Sequence, residues 1–320
     1  MKELRVFEGS MMYLVLGILF IAVSLGLSYL STSLEIQLII TQYLIIGLPP
    51  ILYLLIKKKP LKKILRLNSL SIKTLALIIG LTLLVYPIAV LMNTLVMFIL
   101  SLLGTINIPQ IPTATNTEQF FLYLFIIALS AGICEEILFR GFIMRSFEKV
   151  GYKFAIIFSG ILFGVFHFNI YNLGATIFFG ILFGYLVVLT DSLWAGIIGH
   201  ITNNALAVTL GFLVSRVQGL SEEFLMEGAE LGSAEAIGTI EIALAIALFG
   251  FISLGTGFAA VLILKYLKKD NQKQDPFNSN KDAENPAISL KEFWPILPIL
   301  IIFMALTGLQ LYEILTASGF

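Results

Sequence analysis

Charged residues make up only 12% of this 320-residue chain, about half of the roughly 25% usual in soluble globular proteins. They also cancel. Twenty Lys and Arg against twenty Asp and Glu leave a formal net charge of +0, so no basic surface is offered to nucleic acid. The single cysteine, Cys134, excludes an intrachain disulfide. Histidine is limited to His167 and His200, so any chemistry that needs imidazole draws on these two. With 58% hydrophobic residues and a mean hydropathy of +0.96, a water-soluble domain would expose large apolar patches and aggregate. A soluble enzyme, a disordered chain and a nucleic-acid binder are excluded. What is left is an all-α, polytopic bundle of transmembrane helices in a lipid bilayer.

Crossing a bilayer takes roughly 20 mostly apolar residues, and nine runs qualify. They are Ser10 to Leu30, Gln37 to Ile56, Thr74 to Leu103, Glu118 to Arg145, Tyr152 to Ile170, Leu173 to Thr190, Ser192 to Val214, Ile237 to Leu264 and Phe293 to Ala317. Eight spans is the alternative count. The first run, about 21 residues, is longer than the 7–15 of a signal-peptide core and reads as an uncleaved span. Pro87 predicts a kink in the third span, and Pro49 and Pro50 sit inside the second, which membrane bundles can accommodate.

Lys and Arg set the expected orientation. With the N-terminus in the cytosol and sides alternating, only Arg216 falls outside, so 19 of the 20 Lys and Arg residues are cytosolic. The expectation is N-in and C-out, in the cell membrane. The chain divides into N-terminal helices (1–116), a core that holds the chemistry (117–214), an acidic extracytoplasmic loop (215–236), a further span (237–267), a polar cytosolic linker (268–292) and a last span (293–320). The acidic loop carries Glu222, Glu223, Glu227, Glu230 and Glu235, with a short amphipathic helix expected over Glu223–Leu231.

Ionisable groups in hydrocarbon are costly, so each is a functional candidate. Glu135, Glu136 and Arg140 fall in the fourth run, His167 in the fifth, and His200 with Asn204 in the seventh. Counted from the helix ends at 1.5 Å per residue, the acids and both histidines reach a similar depth. Glu136 and Arg140 are spaced i and i+4, acid first, the favoured orientation for an ion pair. Glu135 then points about 100° away, toward a cavity, where a carboxylate serves as base or acid. Phe163 and His167 share the same spacing, so the ring packs beneath the imidazole. Asn204 lies one turn beyond His200 and is either helix glue or a donor to a developing oxyanion. Gly160 with Gly164, and Gly180 with Gly184, are small-residue faces for close helix packing. Cys134 reads as a packing residue.

Glu135-Glu136-x-x-x-Arg140, Phe163-x-x-x-His167 and His200-x-x-x-Asn204, in this order on three helices, resemble the CPBP family. That family comprises CAAX-type intramembrane endopeptidases and bacteriocin-processing or immunity proteins, also called Abi. The resemblance covers about Thr117 to Leu210. It implies a glutamate-dependent peptidase acting inside the membrane on a peptide or lipidated-protein substrate. By the same resemblance, Glu135 and His167 activate a water, His200 and Asn204 stabilise the oxyanion, and Glu136, Arg140 and Phe163 support the site. No cofactor is expected. A zinc-dependent form would take His167, His200 and Glu135 as ligands, and so consume the acid needed as base. Two non-enzymatic readings stand beside the peptidase. One is a proton-coupled transporter, because intramembrane Glu and His also form proton relays; the other is an immunity protein without activity.

Overall fold

The computed structural model describes residues 3–106, 113–225, 239–271 and 289–317. Half of the acidic loop, most of its expected short helix and most of the polar linker lie outside the described residues. The described residues form helices and turns, with no strand. In chain order the long helices are α1 (Val6–Tyr29), α2 (Leu34–Ile56), α3 (Ile72–Ser101), α4 (Thr117–Phe147), α5 (Tyr152–Val165), α6 (Leu173–Thr190), α7 (Leu193–Leu225), α8 (Thr239–Asp270) and α9 (Leu290–Thr316).

Among the described residues eight of these are long and apolar enough to cross a membrane, and α5 is the exception. The expectation of a fifth span from Tyr152 to Ile170 is corrected. The helix has 14 residues and stops at Val165, so it is roughly 21 Å long at 1.5 Å per residue. Phe168 takes a left-handed conformation with φ of 49°, and Asn169 Oδ1 accepts from the backbone N–H of Tyr171 at 2.8 Å. A left-handed residue cannot continue a right-handed helix, so the apolar run turns before it ends. At α7 the difference has the opposite sign. The helix continues past Val214 to Leu225, through Leu220, Glu222 and Glu223, which favour helix.

Local sequence explains where several helices begin. Ser33, Ser71 and Asn116 accept hydrogen bonds from the backbone N–H groups of Ile36, Thr74 and Gln119, each capping a helix start. The proline pair of α2 falls at the first positions of its final α-helical stretch, Leu48–Ile56, directly after a π-helical stretch, Thr41–Gly47. The helix is continuous there, so the two missing N–H groups fall where the π-helical stretch already departs from the regular α ladder. Helix α3 runs through Pro87.

Polar contacts gather several connecting segments at one end of the bundle. Glu8 of α1 accepts from Tyr53 Oη at 2.6 Å and from Lys59 Nζ at 2.9 Å. Arg66, between α2 and α3, pairs with Glu148 after α4 and, at 2.7 Å, with Asp191 after α6. The N–H of Phe7 donates to Glu292 at 3.2 Å. These are segments that the charge bias assigns to one side. Helices α5 and α6 form a hairpin that leaves this end and returns to it. The hairpin closes tightly: a Cβ on Gly160 would lie 2.8 Å from the backbone N of Ile181, and one on Gly180 would lie 2.7 Å from the carbonyl O of Gly160. The small-residue reading of these faces is thus realised as backbone-to-backbone packing. Within their apolar windows, half of the residues of α4 and α6 are buried in protein, against 6% in α8; α8 therefore presents most of its surface to lipid.

Candidate active site

Helix α4 carries the acids, and its geometry is uneven. An α-helical turn and a half, Ala131–Glu136, lies between two π-helical stretches, Leu124–Ser130 and Ile137–Met144. π turns inside α-helices recur at functional sites. Glu136 and Arg140 pair at 2.6 Å, with 0% and 1% of their side chains exposed. The arginine's second amine donates to the carbonyls of Phe179 at 3.4 Å and Gly180 at 3.0 Å. Its guanidinium lies 4.6 Å from the Phe163 ring centroid and 5.9 Å from that of Phe183, within cation–π range. The buried charge is thus met by a carboxylate, two carbonyls and two aromatic faces.

His200 joins the same pair. Its Nδ1 is 2.9 Å from Glu136 Oε1, the oxygen that also accepts from Arg140. Its Nε2 is 3.9 Å from Glu135 Oε2, so the imidazole sits between the two acids. Phe183 stacks on it at 5.7 Å, and Phe163 meets it edge-on at the same distance. Gly196 leaves the room this needs, because a Cβ there would lie 2.4 Å from Glu136 Oε2.

His167 follows the C-terminal end of α5 rather than sitting within a span. Its Nδ1 is 2.8 Å from the carbonyl of Phe163. A carbonyl only accepts, so Nδ1 carries the proton, and in the neutral ring Nε2 is a bare acceptor. The Phe163 ring lies 4.8 Å from the imidazole, as the i, i+4 spacing predicts. Asn204 donates from Nδ2 to the carbonyl of Ile127, in the first π stretch of α4, at 2.8 Å, and accepts from Asn203 Nδ2 at 2.9 Å. One of its two amide protons is therefore spent on helix contact and one is left.

Glu135, Phe163, His167, His200 and Asn204 line one cavity of about 660 Å³. Glu136 and Arg140 stand behind this wall. One residue that sequence reasoning missed belongs here. Gln42, in the π stretch of α2, donates from Nε2 to Glu135 Oε1 at 2.8 Å, which leaves Glu135 Oε2 without a partner. A glutamine inside an apolar span was the available signal, by the same logic that singled out the acids. Among the described residues no group of three or more His, Cys, Asp or Glu side chains is arranged to hold a metal ion.

Residues 117–206 match the family model described as type II CAAX prenyl endopeptidase Rce1-like. No curated protein and no solved structure matches the chain. The matched stretch holds all three motifs and every residue of the cavity wall that they name. The segment 117–206 is Rce1-like, consistent with the CPBP family of membrane proteases, and it is set in a multi-pass helical membrane protein.

Proposed function

We propose that this protein is an intramembrane endopeptidase that cleaves a membrane-associated peptide with water activated by Glu135. The observation that carries the reading is the buried Oε2 of Glu135, which has no hydrogen-bond partner, on a residue that lines a cavity shared with both histidines. Gln42 holds the other oxygen, so one lone-pair face remains for a water. His167 Nε2 accepts the second hydrogen of that water and orients it. Glu135 removes a proton as the water oxygen bonds to the scissile carbonyl carbon. The carbonyl π electrons move onto oxygen, and the remaining amide proton of Asn204 donates to this oxyanion. Glu135 then delivers its proton to the departing nitrogen as the C–N bond breaks. A carboxylic acid and an amine are released, and the acid then passes its remaining proton, the second of the water, to the amine.

His200 is held in the site through Nδ1, 2.9 Å from Glu136, and turns Nε2 toward Glu135 at 3.9 Å. A prenylated CAAX-type peptide is a substrate suited to the site by family likeness. The test uses purified protein in proteoliposomes, with farnesylated and unmodified membrane-anchored peptides followed by mass spectrometry. Wild-type cleavage is expected at one bond, with loss on Glu135→Gln of about 10²–10⁴-fold. Zinc content far below one per molecule and turnover insensitive to chelators are expected alongside. Peptides left intact by wild type, or turnover retained by Glu135→Gln, would remove the reading, and activity restored only by zinc would replace it with a metal-dependent one.

A further inference from the structure

Helix α9 lies outside the matched segment, and one polar side chain stands out in it. Gln310 sits in an apolar span, where an amide is retained for the bonds it makes. Its partners are two backbone groups of one turn. Nε2 donates to the carbonyl of Phe168 at 3.1 Å, and Oε1 accepts from the N–H of Ile170 at 3.0 Å. A carbonyl only accepts and an N–H only donates, so one orientation of the amide serves both. The turn satisfies other groups by itself. The N–H groups of His167 and Phe168 go to the carbonyls of Gly164 and Val165, and that of Tyr171 goes to Asn169. Around the amide, Leu311 and Ile314 of α9 pack with Ile170 and Tyr171. Toward the Arg66 end of the bundle α9 is fastened again, where Phe293 stacks on Phe147 at 5.7 Å. Between these points Ile299 closes on α1, 2.6 Å from where a Cβ on Gly17 would lie.

The same turn sets where His167 stands. The residue after it, Phe168, has the left-handed φ of 49°, which costs about 1–2 kcal/mol in a residue with a Cβ. Left to itself the turn relaxes toward an ordinary φ and carries the His167 Cα with it. Gln310 bonds on both sides of Asn169 and so holds the strained turn in place. We infer that Gln310 is a positioning residue for His167, acting through the backbone of residues 168–170, and that the C-terminal helix is therefore part of the site. The Phe163 carbonyl fixes the rotation of the imidazole; Gln310 fixes the chain that carries it. The inference rests on the peptidase reading above and adds the residue that places the water-orienting imidazole.

The test joins a spectroscopic readout to kinetics on the full chain. Isotope-labelled histidine gives only two ring environments by NMR, because His167 and His200 are the only histidines, and a His200→Gln sample assigns them. On Gln310→Leu the His167 ring signals should shift while those of His200 stay. In proteoliposomes kcat per folded molecule should fall about 10–10²-fold, with KM within about twofold, as expected when a reacting group moves by a fraction of an ångström to about 1 Å. Gln310→Met keeps the side-chain length, serves if the leucine variant does not fold, and should behave alike. Leu309→Ala, at an exposed neighbour on α9, should change neither readout. Unchanged His167 signals, or a lower Tm with kcat intact, would overturn the positioning role while wild-type cleavage still upholds the peptidase. Failure of wild type to cleave would bring down the peptidase reading; a His167 shift on Gln310→Leu would then still uphold the hold of α9 on the turn.

Discussion

Two buried arginines, Arg66 and Arg140, are treated differently by the fold. Arg66 joins Glu148 and Asp191 at the end of the bundle, and Asn68 closes the far side by donating to Asp191 at 3.0 Å. Burial works against the charge on Arg66, but Glu148 and then Asp191 outweigh it and raise its pKa above the ordinary value. The acceptors of this network are all engaged. Arg140 is as deeply buried, yet the acids around it are left incomplete: Glu136 Oε2 and Glu135 Oε2 have no partner. A closed network joins elements together; the open one leaves buried acceptors unfilled, and of its two acids only Glu135 reaches the cavity of the proposed reaction.

Five variants would break or sharpen this contrast. Arg140→Leu should do the most damage, because it strands Glu136 and releases His200. A loss of about 3–5 kcal/mol is expected for an unpaired buried charge, and cleavage per folded molecule should vanish with it. Arg66→Leu should cost a similar 3–5 kcal/mol, read as a lower Tm in detergent, while the surviving folded molecules keep their kcat. If Arg66→Leu also abolished turnover at unchanged Tm, the division between the networks would be wrong. Asn204→Ala comes next. As an oxyanion donor it should lower kcat by about 10²–10³ with KM little changed, whereas a purely structural role through the Ile127 carbonyl would lower Tm and leave kcat intact. The smallest effects compare two glycines. Gly196→Ala drives a methyl group against Glu136 Oε2 and should destabilise by about 1–3 kcal/mol and slow cleavage. Gly250→Ala on α8 has nothing within 4 Å and should be neutral, or stabilise by up to about 1 kcal/mol.

Much of this was legible in residue spacing. The Glu136–Arg140 pair, the Phe163–His167 contact and the shared face of His200 and Asn204 are all i, i+4 relations, fixed by the period of one helix. The range of α6, Leu173 to Thr190, reads directly from its apolar run. Contacts across helices were not legible. Nothing near His200 announces that its Nδ1 goes to Glu136, 64 positions away. Gln42 and Ile127 reach the site through π-helical stretches of α2 and α4, where a change of about one residue in register rotates the wall, and composition carries no trace of it. The early end of α5 was hidden because Phe166, Phe168 and Ile170 are as apolar in a turn as in a helix; Asn169 and Asn172 were the visible signs of the turn.

The brevity of α5 makes it a ruler. Its 14 residues begin four positions after Glu148 of the Arg66–Glu148 anchor and end two before His167. The imidazole therefore stands at a fixed count of residues from that anchor, on a helix of roughly 21 Å, shorter than the roughly 30 Å of a bilayer core. Thickening the bilayer moves the far boundary and leaves that distance alone. In the proposed reaction the bond to be cut is selected by how far it lies from the anchored face, so a substrate lengthened on that side by one extended residue, roughly 3.3 Å, presents the neighbouring peptide bond.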